Sequence, residues 1–582
     1  MKLLNLITLG ITLLTVSGCN DDFMERYPLS ALAPETSFKS ESELEAYTNA
    51  FYNQLPDALD IFYSSPHYAD DDARTTVPEE FRGTRTVPTT GGGWSWAELR
   101  RINFFLENSN RFPNENIRAE YDAIAKFFRA YFYFNMVKRF GDVPWYDSVL
   151  DIDDEGLTKA RDSRTVVFQK ILEDLDYAIE HLPATKSAQR VTKWTALALK
   201  SRAALFEGTF RKYHNLGDWE TMLSECVSAS EALMSGGIYK IYQSNPNTAY
   251  HELFISDGAN PDEMIMARQY DASVPFVHSV NFYTLSVSYG RPGVNRHIIN
   301  SYLNADGSRF TDNPDYRTMQ WFEETRNRDP RLAQTIRVPG YKRIGEETVT
   351  LPDFAASITG YQYIKYVQAP VYDQGNCVND MPIFRYAETL LNFAEAKAEL
   401  NTLTQADIDR SIKLLRDRVG MPNLEMIMAN TNPDPYLADL FKNVSGSNKG
   451  VILEIRRERQ VELIREGHRY YDLMRWKEGQ ILARTFNGMY FPGVGRYDID
   501  HNGDIDLEIY QGTKPSAVPG RQYIKIGEVV FENGNNGGQI VTNPTVTKTW
   551  KEDRDYLYPI PSQERLLNPN LTQNPNWVDG VK

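Results

Sequence analysis

The sequence predicts a mostly α fold. It reads as a tetratricopeptide-like scaffold of four degenerate helical hairpins, interrupted by long insertions of loop and short strand. Three observations lead there. Helical periodicity runs from Trp96 to Ser235 and returns over Phe384–Val419 and Val451–Gly479. Successive helices pair across short breaks, yet no period of roughly 34 residues runs through the chain, so the repeats are degenerate. Residues 240–380 and 485–550, by contrast, are rich in Pro, Gly and Asn and carry short β-rich runs such as Tyr361–Val367. Irregular stretches of that length in a compact protein are usually functional.

The chain opens with Lys2, an apolar run Leu3–Val16, and Ser17-Gly18 before Cys19. A basic start, an apolar middle and small residues at a cleavage point make residues 1–18 a signal peptide. Asn5, Thr8 and Thr12 interrupt the run, which is short for a bilayer span of ~20 residues. Val16-Ser17-Gly18-Cys19 resembles a bacterial lipobox, which would make Cys19 the acylated first residue of a tether over 19–40. Acyl chains contribute ~0.8 kcal/mol per buried CH₂, enough to hold a soluble body at a membrane. Asn20-Asp21-Asp22 follow directly.

The helical scaffold spans 41–239 and resumes over 381–582, with 240–380 an irregular insertion carrying ligand-binding loops and 485–550 a hairpin insertion. Ser42–Leu55 is a first helix, and His67–Gly93 is too polar and broken to be anything but loop. Trp96–Ser109 pairs with Glu115–Phe140, whose aromatics lie almost all round and so require neighbours on every side. Gly141-Asp142-Val143-Pro144 stops that helix. Thr165–His181 with Lys193–Lys212 makes a second pair, followed by Asp218–Met234; Phe384–Leu400 with Gln405–Val419 makes a third.

The fourth pair, Val451–Trp476, organises the rest. At ~100° per residue, Ile452, Ile455, Leu463 and Tyr470 share a face with Arg459 and Glu466. Charges on an inward stripe must find partners, because an unpaired buried ion costs several kcal/mol. Arg456, Arg457, Glu458, Arg459, Glu462, Arg465 and Glu466 offer many i,i+3 and i,i+4 pairs. Gly467 suits a left-handed position that ends one helix before Tyr470–Trp476 begins another. With an arginine near every acid, the pattern is architectural rather than catalytic.

Glu454, Glu458-Arg459, Glu462-Leu463, Glu466-Gly467, Arg469, Asp472-Leu473 and Arg475-Trp476, at their spacing, resemble the signature of the SusD/RagB family, glycan-binding lipoproteins of the outer membrane in certain Gram-negative bacteria. Arg129-Ala130 through Phe140-Gly141-Asp142-Val143-Pro144, Arg385-Tyr386-Ala387-Glu388 through Ala394-Glu395-Ala396, and the tail from Leu557-Tyr558-Pro559 to Asn574-Pro575 resemble further motifs of that family, in the same order. The resemblance implies a non-catalytic protein that captures oligosaccharide or polysaccharide at the cell surface. Its implied partner is a TonB-dependent SusC-like β-barrel transporter, and Asn20-Asp21-Asp22 resemble the group's surface-export signal. Some relatives handle peptides, so a peptide-binding component of a RagA/RagB-type uptake system is the alternative.

The chain has 582 residues and a formal charge of −15, which excludes a nucleic-acid backbone as partner. Aromatics make up 12%, with 34 Tyr and 9 Trp, a richness that serves helix packing and sugar stacking alike. Besides Cys19 the cysteines are Cys226 and Cys377, and the sequence leaves open whether they pair. No stretch marks a catalytic pair, and neither G-x-S-x-G nor a P-loop occurs.

Sugar binding asks for flat exposed rings beside polar forks. Gly91-Gly92-Gly93-Trp94-Ser95-Trp96 is the leading candidate, with Asp70, Asp72, Arg82 and Arg85 from the preceding loop. Trp96 stands where a helix begins and could equally pack inward. Tyr283, Tyr289, Arg291, Asn295 and Trp321 are candidates from the insertion. Asp498, Asp500, Asn502, Asp504 and Asp506 place oxygen ligands at alternate positions around Gly503, the pattern a structural Ca²⁺ would take. No cofactor is otherwise required. The competing reading of that stretch is an Asn502-Gly503 type I′ hairpin turn with solvated acids.

Overall fold

The computed structural model describes residues 37–581; the signal peptide, Cys19, Asn20–Asp22 and most of the tether lie outside the described residues. Helix α1 (Glu41–Asn49) tightens into a 3₁₀ turn over Ala50–Gln54, short of the helix expected to Leu55. Strand β1 (Asp72–Ala73) crosses the loop that follows. Five long helices come next: α2 (Ala97–Asn108), α3 (Glu115–Phe140), α4 (Arg164–His181), α5 (Lys193–His214) and α6 (Trp219–Ser235).

Their ends have local causes. Asn114 accepts the Ile117 N–H at 3.3 Å to start α3, and Gly141, at φ +74°, ends it. Thr192 and Thr195 form a capping box at α5, and left-handed Asn215 closes it. The aromatic girdle of α3 is enclosed as its sequence requires, with Phe127, Phe128, Tyr133 and Phe140 fully buried among α1, α2 and α4. Helices α5 and α6 approach so closely that a Cβ on Gly208 would lie 2.7 Å from Leu223.

Strands β2 (Met264–Arg268) and β3 (Gly293–Val294) belong to the insertion, and β4 (Met381–Arg385) leads into α7 (Tyr386–Glu399). β1 pairs with β3 in the register Asp72↔Val294, and β2 pairs with β4 from Met264↔Arg385 to Arg268↔Met381, both antiparallel. The insertion is thus sewn to the loop on one side and to the scaffold on the other. The strand expected at Tyr361–Val367 does not form. That segment is buried throughout and takes its backbone bonds piecemeal, from Val294 N–H and to the Thr335 carbonyl, because no single neighbour runs alongside it.

The helix expected over Gln405–Val419 is broken into Gln405–Asp409 and α8 (Ile412–Arg418). Ser411 leaves helical conformation there, its hydroxyl bonding back to the Asp407 carbonyl at 2.5 Å. The organising hairpin is α9 (Lys449–Glu462) and α10 (Arg469–Arg475). Gly467 takes φ +81° as its position demands, but α9 has already closed at Glu462, and Arg465 is left-handed too.

Within α9 the ionic lattice differs from the one its spacing suggests. Arg457–Glu454 is its i,i+3 pair; the other charges reach off the helix. Glu462 receives Arg418 at 2.5 Å, Arg385 at 2.7 Å and Arg331 at 3.1 Å. Glu458 receives Arg331 at 2.5 Å and Arg416 at 2.8 Å, and Glu466 receives Arg385 at 2.6 Å and Lys365 at 2.7 Å. The reason is burial: α9 is enclosed on every face, so its charges meet neighbouring elements instead of lying along a wet surface. Those partners come from the insertion, β4 and α8, and the lattice therefore fastens the insertion to the second half of the scaffold.

The last insertion holds β5 (Asn487–Phe491), β6 (Gly495–Tyr497), β7 (Leu507–Tyr510), β8 (Gln522–Lys525), β9 (Val530–Phe531) and β10 (Gly538–Val541). They form two three-stranded sheets, β5-β10-β9 and β6-β7-β8, over a second core containing Tyr361, Tyr363, Met489 and Ile509. Cys226 and Cys377 are free and buried. Among the described residues no helix is long and apolar enough to cross a membrane.

Candidate functional site

Leu59–Ser64 forms a π-helical turn, a widened geometry that recurs at functional sites. It carries Tyr63 into a cluster with Tyr283 and Tyr289, whose ring centroids lie 5.6 and 5.4 Å from it. Tyr283 and Tyr289 are 4.7 Å apart, and Phe282, 40% exposed, adds an edge at 5.2 Å from Tyr289. The guanidinium of Arg74 lies 3.9 Å over Tyr63. It donates to Asp72 at 2.6 Å and to the Tyr63 carbonyl at 2.7 Å, leaving Nη1 uncommitted. The backbone comes close here: Gly290, at φ +73°, would set a Cβ 3.3 Å from Cδ of Arg74.

A shallow cleft beside Arg74 is lined by His67, Asn543 and Lys548. The Lys548 ammonium sits 3.2 Å over the Phe486 ring without a hydrogen bond, and burial pulls it down to about 7. Burial, with Arg74 adding to it, holds His67 at about 4 and hence neutral. Half-buried rings give a pyranose an apolar face to lie on, while Arg74 Nη1 and Lys548 Nζ are enclosed and brace the platform from behind.

The structure distributes the residues singled out from sequence unevenly. It brings Tyr283 and Tyr289 together and leaves Arg291 half-buried nearby, its Nη2 on the Phe354 carbonyl. Arg82 is exposed. Five others lie inside. Asp70 is bound by Arg469 at 2.6 Å and by His297 at 2.7 Å; burial opposes its charge, but these partners hold the carboxyl well below the usual carboxylate range. Asp72 joins Arg74 to Arg465, and Arg85 pairs with Asp555 against the Tyr558 ring. Asn295 donates to the Asp70 carbonyl and accepts from Asn487 N–H, while Trp321 is packed in the second core. Asp70, Asp72, Arg85 and Asn295 thus tie loops to distant parts of the fold.

Trp94 is only 6% exposed, wedged edge-on between Trp96 and Phe140 at 5.3 and 5.0 Å. Trp96 is half-buried immediately before α2, its ring 5.4 Å from Tyr146. The two tryptophans line a hollow of about 640 Å³ shared with Leu150, Leu157 and Leu567. Several polar groups there are engaged: Arg100 Nη1 on the Leu150 carbonyl, Asn103 on those of Tyr146 and Ser148, Asn568 on that of Lys159. That hollow is mostly apolar, whereas the tyrosine cluster gathers half-buried rings from three segments at one edge of the fold. Sequence reasoning missed Tyr63, Phe282, Arg74, His67, Asn543 and Lys548. Only Arg74 carried a signal, as the cation next to the acidic run Asp70–Asp72.

In the acidic loop, Asp498, Asp500 and Asp506 each present a carboxylate oxygen within 4.8 Å of the others, whereas Asp504 stands outside that group. Asn502 turns its amide to Asp500 at 3.2 Å. Burial, with Asp500 and Asp498 close by, raises the Asp506 carboxyl. Tyr497 pairs with Leu507, so nine residues bridge the strands, and only His501 and Gly503 are left-handed here. A two-residue Asn-Gly type I′ turn is therefore not what closes this hairpin, since it needs positive φ at Asn502 as well. The oxygen-only donor set suits a hard cation.

Residues 263–577 match the SusD family, and residues 72–199 match a family described as starch-binding associating with outer membrane. SusD-like protein P2 of Formosa agariphila is 23% identical over 98% of both chains. Two solved structures from Bacteroides fragilis share the fold. A SusD-like carbohydrate binding protein is 23% identical, with TM-score 0.70 over 92% of this chain and 99% of that one. A second SusD-like protein is 22% identical, with TM-score 0.69 over 95% and 100%. With the family match covering more than half its length, this chain belongs to the SusD family.

Proposed function

We propose that this protein captures oligosaccharide at the cell surface, without chemically altering it, and hands it to a TonB-dependent SusC-like β-barrel in the outer membrane. The observation that carries the reading is the Tyr63–Tyr283–Tyr289 platform under Arg74, displayed on the family scaffold by a loop and an insertion that β1 and β3 pin together. The solved relative described as a carbohydrate binding protein supports it. So does the lipobox-like sequence Val16–Cys19, which would place a lipid anchor at Cys19 and hold the protein at the outer membrane.

Capture of this kind needs no reacting group. The acids of the α9–α10 hairpin are held by arginines: Glu462 by three, Asp472 by Arg459 at 2.8 Å and Arg475 at 2.9 Å. The proposal extends to a structural Ca²⁺ in the Asp498–Asp506 loop, held by Asp498, Asp500 and Asp506, which would fix the turn between β6 and β7. Isothermal titration against a panel of oligosaccharides tests the main reading. Binding with recovery of intact ligand is expected; binding to peptides and to no carbohydrate would overturn it.

A further inference from the structure

A second cavity, of about 230 Å³, lies where α3, α5, β4 and the α9–α10 hairpin converge on Ile61 and Ser65 of the π-turn region, and none of the three platform tyrosines lines it. Lys138, near the end of α3, lines it and has no carboxylate within ion-pairing distance among the described residues. Its ammonium faces the rings of Tyr471 at 4.4 Å and Phe134 at 4.6 Å. Burial, and then the nearby Arg202, pulls it down to about 7. Every other wall charge is answered. Arg202 commits Nε and Nη2 to Glu388 and the Ile383 carbonyl, with Nη1 left over. Glu466 is saturated by Arg385 and Lys365, and Asp472 by Arg459 and Arg475.

Beyond Ser65, Tyr131, Tyr471 and Asn135, which can donate or accept, the wall offers Lys138 Nζ, Arg202 Nη1 and the ring of His468, whose Nδ1 stays 3.9 Å from Glu388; Lys138 is the charge among them without a counter-charge. A neutral sugar could bond the hydroxyls and the amide but would leave the Lys138 ammonium without a counter-charge; an anion answers it. The volume falls below the ~300 Å³ at which drug-sized pockets begin, which limits the occupant to about one sugar ring. We propose that this cavity binds a small carboxylate of monosaccharide size, a sugar acid, with Lys138 as its counter-ion and Arg202 and His468 as further donors. The site stands apart from the oligosaccharide reading and does not depend on it.

Isothermal titration of the purified protein at pH 6 with sodium glucuronate, glucose and inorganic phosphate tests this. Saturable binding of glucuronate without binding of glucose is expected. Lys138→Met should weaken it about tenfold or more, the size of a lost charge-assisted hydrogen bond, and Lys138→Arg should keep it within a few-fold. Because Lys138 has no ion-pair partner, the methionine variant is expected to fold at least as stably as the parent, which its melting curve checks. Three outcomes would overturn the proposal: no glucuronate binding, glucuronate binding unchanged in Lys138→Met, or phosphate bound and glucuronate ignored.

Discussion

Asp71 is a poorly compensated carboxyl among the described residues. It is 2% exposed, its Oδ1 has no partner, and its Oδ2 accepts only the Arg465 N–H at 3.4 Å. Burial, then the adjoining Asp70 and Asp72, push its carboxyl up to about 7 against the partial relief of Arg465 and Arg469. A carboxyl raised in this way contributes stability that is fully present below its unfolded value near 3.8 and is lost as pH rises through about 7. At ~1.4 kcal/mol per pH unit, the loss is ~1–2 kcal/mol at pH 5 and ~4 kcal/mol at pH 8. Asp71→Asn removes that dependence. It also forfeits the attraction to Arg465 and Arg469, so its absolute stability carries an offset, but the variant should gain on the parent by ~2–3 kcal/mol between pH 5 and pH 8. Urea unfolding followed by tryptophan fluorescence at the two pH values measures this. A difference between the two proteins that does not change with pH would refute the reasoning.

Glu462→Gln should cost ~3–5 kcal/mol, because Arg331, Arg385 and Arg418 all lose one carboxylate; a denaturant midpoint equal to the parent's would show the lattice to be inert. Glu388 and Asp472 are held at about 2, burial opposing and Arg202 and Arg459 respectively prevailing. Their stabilisation is present above the unfolded carboxylate value and lost as pH falls from about 4 toward 2, so a circular-dichroism titration should show unfolding in that window. In the acidic loop, Ca²⁺ should raise the melting temperature, chelator should reverse the rise, and Asp500→Asn should abolish it; a melting temperature indifferent to both dismisses the ion.

Helix periodicity made the scaffold legible: α3, α4, α5 and α6 fall within a residue or two of where the pattern puts them, because amphipathic and all-round apolar faces are local statements. Two kinds of fact were out of reach. The partners of Glu458, Glu462 and Glu466 come from residues 331, 365, 385, 416 and 418, distant in the chain, and spacing along one helix cannot name them. Burial of single loop residues was equally hidden. Asp70 and Arg85 look like solvent-facing groups in a polar loop, yet each closes a long-range contact, with Arg469 and Asp555. Tyr63 gave the opposite error, since nothing in helical text announces a π-turn that swings a ring onto the surface.

The platform itself is tested most directly by titrating oligosaccharides into the parent protein and into Tyr289→Ala. The ring of Tyr289 touches Tyr63, Tyr283 and Phe282 at the exposed edge of the fold, so its removal should leave the melting temperature nearly unchanged. Affinity for the bound oligosaccharide should fall by ~1–3 kcal/mol, the worth of one good aromatic contact. Equal affinity in the two proteins would contradict the assignment of this face.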